Sequence, residues 1–334
     1  PDATTTTMTC DNTNTHNIKV DNAEAHTDGI RHRSAIACWV EAMRLRTLPV
    51  SVAGVCAACA YTILHGTFGT AQALLCLTFA VLAQIASNFA NEYYDFRAGL
   101  DRRGRQGPRR GVTEGDITPR AMAVATYAVL ACACAVGLCL VHWGGWWLVP
   151  AGIGIAVAAL AYSAGPWPLS RHCLGEVAVI AFFGIIPVNL TYYVQAGAFD
   201  ADVFRCSVAI GLMGANVLIV NNYRDRDDDH AVGKHTLAVA LGRRATSILY
   251  LLCGWGAVLL MSPLWAAIGG TAWIVPVVYA ALHTLLWALM SVRRGARLNP
   301  LLGATAVLML LYALGFVIVA VAVSCRETLC NAPI

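Results

Sequence analysis

Charge is what this sequence has least of. Charged residues fill 13% of its 334 positions, against the ~25% usual in soluble domains. A water-facing surface on a chain of this length needs far more. That shortage excludes an ordinary cytosolic enzyme, a nucleic-acid binder and a disordered chain. Lysine is scarcer still, with two against 21 arginines. None of the 13 cysteines has the Cys/His spacing of a zinc site. Most lie inside apolar stretches, where cysteine is a small hydrophobe. Cys56 and Cys59 form a CxxC, but within such a stretch, which argues against a redox motif. Cys325 and Cys330 are spaced to pair in an oxidising compartment. Residues 1–34 hold no apolar run, so they are not a signal peptide. Their Thr and Asn runs read as a disordered tail.

What the sequence does have is long apolar runs. Hydrophobic residues make up 58%, and the mean hydropathy is +0.61. A helix crossing a bilayer needs ~20 mostly apolar residues. Nine segments qualify, at 48–65, 70–91, 119–141, 144–162, 174–196, 203–221, 246–264, 266–290 and 301–324. The expectation is an all-α integral membrane protein with nine spans. Residues 35–46 read as a short interfacial helix, with Trp39 in the aromatic belt and Arg44 and Arg46 at the headgroups. Lys and Arg fix the orientation. Assigned to alternating loops, 21 of the 23 fall on one side, and only Arg205 and Arg326 on the other. This puts the N-terminus in the cytoplasm and the C-terminus outside. The domain reading is a cytoplasmic tail over 1–34, a transmembrane domain over 35–325 and a short outer tail over 326–334.

The scarce acid is concentrated. Of the 14 carboxylates after residue 40, nine fall in two windows. Glu92, Asp95, Asp101, Glu114 and Asp116 follow the second span. Asp225, Asp227, Asp228 and Asp229 follow the sixth. Asn91 and Asp95 are four apart, as are Asn221 and Asp225, and Asp225 and Asp229. Residues at i and i+4 share a helix face, so each helix end presents a column of oxygen ligands. Four helices separate the two windows, the pattern of an internal duplication. Oxygen donors without Cys or His suit Mg²⁺, which takes one or two carboxylates and completes its shell with water and substrate phosphate. The bland alternative is that both clusters are simply solvated. Arg109 and Arg110 stand beside the first window and Lys234 beside the second. Each is either a phosphate contact or plain topology signal.

Four stretches resemble the UbiA superfamily of intramembrane prenyltransferases, and within it the dihydroxynaphthoate branch. They are Arg44-Leu-Arg-Thr47-Leu48-Pro49, then Gln84 through Asn88 and Asn91 to Asp95 and on to Asp101. Next comes Tyr162-Ser-Ala-Gly165-Pro166-Trp167-Pro168-Leu169 with Leu174-Gly175-Glu176. Last is Asn221-Asn-Tyr-Arg224-Asp225 running to Asp229, Gly233-Lys234 and Thr236. Leu45 and Glu92 depart from the usual Pro and Asp, and no Lys follows Tyr162, where Arg171 is the first cation.

The resemblance implies a UbiA-type bundle whose central cavity opens to the cytoplasmic side and sideways to lipid. It implies transfer of a polyprenyl chain from an allylic polyprenyl diphosphate to dihydroxynaphthoate, with loss of CO₂, in a bacterial cell membrane. The metal ligands it implies for Mg²⁺ are Asn91, Asp95, Asp101, Asn222, Asp225 and Asp229. Substrate contacts fall to Arg44, Asn88, Arg109, Arg110, Arg171, Asn221, Arg224 and Lys234. Asp95, Asp225, Tyr162 and Glu176 are the catalytic candidates. Two readings of Glu176 stand side by side: it orients or deprotonates the acceptor, or it is a helix N-terminal acid favoured by the dipole. Rivals are the same chemistry on hydroxybenzoate, homogentisate or haem, and a secondary transporter. The partners are these substrates and membrane lipid, with no nucleic acid.

Overall fold

The structure is a computed structural model that describes residues 34–101 and 107–330. The expected tail over 1–34 lies outside the described residues except for Ser34, whose hydroxyl caps the first helix. The described chain is all helical. In order come α1 (Ala35–Ala42), α2 (Pro49–Leu64), α3 (Thr70–Arg97), α4 (Gly111–Glu114), α5 (Pro119–Gly144) and α6 (Leu148–Ala161). They are followed by α7 (Gly175–Val179), α8 (Ile186–Ala196), α9 (Ala201–Ala231), α10 (Leu237–Ile268), α11 (Ile274–Val292) and α12 (Asn299–Cys330). Local signals set several starts. Pro49 and Pro119 occupy first-turn positions, where no N–H partner is needed. The Asp200 side chain accepts from the amides of Asp202 and Val203, a cap that satisfies two orphan donors.

Among the described residues seven helices are long and apolar enough to cross a bilayer, and an eighth arises if the bent pair α1–α2 is one span. The bend, 47° between Ala35–Thr47 and Pro49–Leu64, falls at Leu48, and within the first member Arg44 has a left-handed φ of 55°. The segment expected over 144–162 is only the 14-residue α6, because the chain turns through Gly145, Trp146 and Trp147 before helix begins. Two helices run well past their apolar stretches. α3 continues to Arg97 and α9 to Ala231, so Asn91 and Asp95, like Asn221, Asp225 and Asp229, are carried on helix as the i, i+4 spacing requires, whereas Asp101 and Asp116 lie in loops beyond α3. At the far end α12 continues as helix to Cys330. Cys325 and Cys330 are free thiols there rather than a pair.

The span Gly175–Ala196 contains a π-helical turn over Ile180–Ile185, a device that shifts the register of α8 against α7. Next to it α7–α8 crosses α9 at very close range. A Cβ on Gly184 would sit 2.4 Å from the Cα of Gly211. In a bilayer such small-residue crossings let backbones pack where lipid gives no hydrophobic drive between helices. From that crossing the two helices run on, so that Glu176 on α7 meets Asn222 on α9 at 2.8 Å. Gly184→Ala is expected to cost about 1–3 kcal/mol of stability, the usual penalty of overpacking. Thermal unfolding in detergent checks it, and an unshifted midpoint would refute the close crossing.

The largest core cluster surrounds α9, with α2, α8, α10, α11 and α12 around it, and Tyr223, Tyr250, Trp265 and Phe316 fully buried. A smaller cluster joins α1, α3, α4 and α5 through Cys38, Phe89, Val112 and Met122.

Candidate active site

Lys234 bridges the ends of α3 and α9. The Lys234 ammonium lies 3.9 Å from Asp95 on α3 and 3.9 Å from Asp229 on α9. Asp95 and Asp229 are 2% and 8% exposed. A buried carboxylate pair is costly without positive charge beside it, and Lys234 supplies it to both. Arg171 supplies more, with Nη2 at 3.3 Å from Asp95. Lys234 is placed by its loop. Gly233 adopts φ +71°, a left-handed turn that glycine enters without Cβ strain. The Lys234 amide then donates to the Asp229 carbonyl at 2.9 Å, and the Thr236 hydroxyl reaches the Asp229 carboxylate at 3.5 Å. The same loop pairs with the one after α6 through a bridge between His172 and His235. That bridge holds Arg171 and Lys234 over the same carboxylate.

Asn91, one turn before Asp95, is a hub. Its amide nitrogen donates to Asp95 at 3.2 Å and to Ser163 at 2.9 Å. Its oxygen accepts from Arg44 at 2.5 Å and from Arg110 at 3.2 Å. Arg110 also faces Asp101 at 3.5 Å and Glu92 at 4.0 Å. Glu92 in turn accepts from the Val112 amide at 3.0 Å. Asn88 donates to the Met43 carbonyl at 3.0 Å, so it pins the elbow that aims Arg44. A left-handed arginine is a strained backbone position that surrounding contacts must hold, and these contacts do so.

Other expected residues form separate groups. Asp225 is gripped by Arg224 at 2.6 and 2.7 Å. Arg224 also donates to Asn221 at 2.7 Å and to Asn299 of α12 at 2.9 Å. Asn222 donates to Glu176, whose second oxygen is buried without a hydrogen-bond partner. Tyr162 caps the end of α6, its hydroxyl 3.6 Å from where a Cβ on Gly175 would stand. Arg109 is not in the cluster. It binds Asp116 at 2.8 and 3.0 Å on the surface, and that carboxylate raises the guanidinium pKa above its ordinary value. Ser163, Thr236 and Asn299 are site residues that sequence reasoning missed. Ser163 and Thr236 lie inside the quoted motifs, whereas no spacing marked Asn299.

Among the described residues no three of His, Cys, Asp and Glu converge as a ready-made metal cage. The donor set still fits a hard cation. It offers buried carboxylate oxygen from two helices and no thiol or imidazole, in the small number that Mg²⁺ takes when a substrate phosphate completes its shell.

Just inward of this polar mouth lies an apolar hollow of about 370 Å³. It begins at Ser51 and Gln84, which hydrogen-bond to each other. Gln84 is one turn from Asn88. The hollow continues between α3, α5, α6 and α8.

Together the fold and the site define a multi-pass integral membrane protein with a cluster of buried acids and cations at the ends of α3 and α9 and an apolar hollow between its helices. Comparison with known proteins names the class more closely. The model of the UbiA prenyltransferase family matches residues 47–302, and the chain belongs to that family. It is 36% identical over 287 residues to a 1,4-dihydroxy-2-naphthoate octaprenyltransferase of Mycobacterium tuberculosis, covering 84% of this chain and 96% of that one. A protein of the same name from Escherichia coli is 36% identical over 217 residues, covering 63% and 70%. Among solved structures, a UbiA homolog from Archaeoglobus fulgidus bound to GPP and Mg²⁺ superposes with a TM-score of 0.62 at 14% identity, covering 84% of this chain and 99% of that one. The apo UbiA homolog from Aeropyrum pernix gives 0.64 at 17% identity, covering 83% and 98%. At those identities the solved structures show the fold alone.

Proposed function

We propose that this chain transfers a polyprenyl group from an allylic polyprenyl diphosphate to 1,4-dihydroxy-2-naphthoate, with loss of CO₂ and pyrophosphate, giving demethylmenaquinol, the reduced form of demethylmenaquinone. The observation that carries the reading is the placement of Lys234 between Asp95 and Asp229, 3.9 Å from each. Two buried carboxylates around one ammonium, with Arg171 alongside, suit a polyanion that arrives with its own divalent cation. Bound Mg²⁺ supplies positive charge to the leaving diphosphate as the allylic C–O bond breaks. Asp95 and Asp229 are the residues proposed to hold it. Asn91, Asp101, Asn222 and Asp225 are each engaged by a neighbouring side chain and support that pair. Lys234 and Arg171 neutralise diphosphate oxygens left over, and Arg44 and Arg110 offer a site for the acceptor carboxylate. Glu176, buried near Tyr162, orients the acceptor hydroxyl. The hydrocarbon tail enters the apolar hollow, where water is excluded from the allylic cation.

The acceptor follows the names of the relatives. The membrane reading is nine crossings, counting the elbowed α1–α2 pair and short α6, with the N-terminus and both acidic helix ends cytoplasmic and the C-terminus outside. That places the site at the cytoplasmic edge, unlike the midplane sites of secondary transporters. Membranes holding the full chain, given dihydroxynaphthoate, farnesyl diphosphate and Mg²⁺, are expected to yield the farnesylated, decarboxylated product by mass. Product only with hydroxybenzoate or homogentisate would reassign the acceptor. No pyrophosphate release with any aromatic acceptor would sink prenyl transfer itself.

A further inference from the structure

The apolar hollow has a neighbour. A second one, of about 770 Å³, lies on the other side of α6, between α6, α8 and the start of α9, and reaches Phe199 and Phe204. The two share Ile155 of α6, Phe182 of the π-helical turn, and Ile186 and Leu190 of α8. α6 takes its main packing from α5 and α3, so these four side chains are the wall between the hollows. No tight helix-to-helix seam backs them. Two glycines of α6 face apart. Gly152 lines only the first hollow and Gly154 only the second. Two residues apart on a helix they point about 200° away from each other. A Cβ on either would meet nothing within 4 Å.

We propose that the hollows act in series, the first taking the proximal isoprene units of the donor and the second its distal end, passed beneath α6 at Ile155. The inference rests on the prenyl-transfer reading. The first hollow spans Gln84 to Cys76 on α3, eight residues or about 12 Å of helix. A short donor ends inside it, and a long polyprenyl chain overruns it. Across the shared wall the second hollow adjoins it and offers further apolar space. An acyl chain of membrane lipid could lie in the second hollow too, but only the donor tail is tethered to a diphosphate at the mouth of the first. Donor length is therefore read twice, once on each side of α6.

Gly152→Trp and Gly154→Trp test this, since each fills one hollow from a position with free space around it. Membranes carrying wild type or either variant are assayed with the aromatic acceptor and a ladder of donors from geranyl to a long polyprenyl diphosphate. Gly154→Trp is expected to hold kcat/KM for geranyl diphosphate within about twofold of wild type. It should lose about tenfold or more on the longest donor, the scale of a steric clash in a packed apolar site. Gly152→Trp should fail at a shorter donor length than Gly154→Trp. Geranyl turnover serves as the folding control. If Gly154→Trp matches wild type on the longest donor, the second hollow holds lipid and the inference is overturned. If both variants fail at the same length, the serial order is overturned. A wild type that consumes no donor sinks the parent reading and this inference together, whereas a working wild type with an indifferent Gly154→Trp sinks only the inference.

Discussion

Asp95→Asn is expected to lower prenyl transfer by about a thousandfold or more while the protein stays folded. The size follows from what a charge aimed at a developing leaving group contributes when it sits out of water. Asp95 is 2% exposed and faces Lys234, Arg171 and Asn91 at once. Asparagine keeps the shape but removes the negative charge. Lys234 is then left with Asp229 as its carboxylate, and a divalent cation loses one of its two buried anionic donors. Asp229→Asn should behave the same way from the other helix. Asp227 is the control, because its side chain is 70% exposed and pairs with Arg226 and Arg243 on the surface. Asp227→Asn should stay near wild type, since exposed pairs contribute little. The measurement is kcat by product mass at saturating Mg²⁺, beside the thermal midpoint of each variant. Full turnover in both Asp95→Asn and Asp229→Asn would falsify the assignment.

The part of this site that sequence revealed was the part written in periodicity. Apolar length located most of the spans, and i, i+4 spacing put Asn91 with Asp95 on one helix face, as found. Lys234 stood out because lysine is so rare in the chain, and it is the residue that joins the two windows. What stayed hidden depended on contacts between distant segments. Asp225 read as a metal ligand from its i, i+4 spacing and from the resemblance, and neither signal shows its pairing with Arg224, since residues adjacent in sequence face apart on a helix. A long arginine side chain can nonetheless fold back along its own helix, and Arg224 does so, braced by Asn299 from 75 positions away. Arg109 and Arg110 looked equivalent, yet a single step of the chain sends one to the surface with Asp116 and the other into the Asn91 cluster. The shortness of α6 was masked because Gly145, Trp146 and Trp147 are as compatible with an apolar run as with a turn. Nothing in composition announces the π-helical turn at 180–185, which coincides with the close crossing of Gly184 and Gly211, a contact between distant segments.

Arg224→Ala is expected to produce the largest loss of stability among the site substitutions, about 3–5 kcal/mol, the range for breaking one side of a buried ion pair. Arg224 and Asp225 are 3% and 2% exposed. The guanidinium meets the carboxylate with two hydrogen bonds, the geometry in which such pairs are strongest. It also ties α9 to the first residue of α12 through Asn299. Alanine deletes both links and leaves the Asp225 charge in a dry interior without the guanidinium beside it. The cost therefore comes mainly from a buried carboxylate that has lost its guanidinium rather than from the lost bonds. That has a consequence that separates it from simple loss of packing. The double variant Arg224→Ala with Asp225→Ala should be more stable than Arg224→Ala alone, because it removes that buried charge as well. Thermal unfolding of the two singles and the double in the same detergent gives the coupling directly. Additive losses would mean that Asp225 is held by other neighbours and that Arg224 matters only as a brace to α12. A rescued double would show that this pair is structural, and would leave Asp95 and Asp229 as the carboxylates committed to the diphosphate.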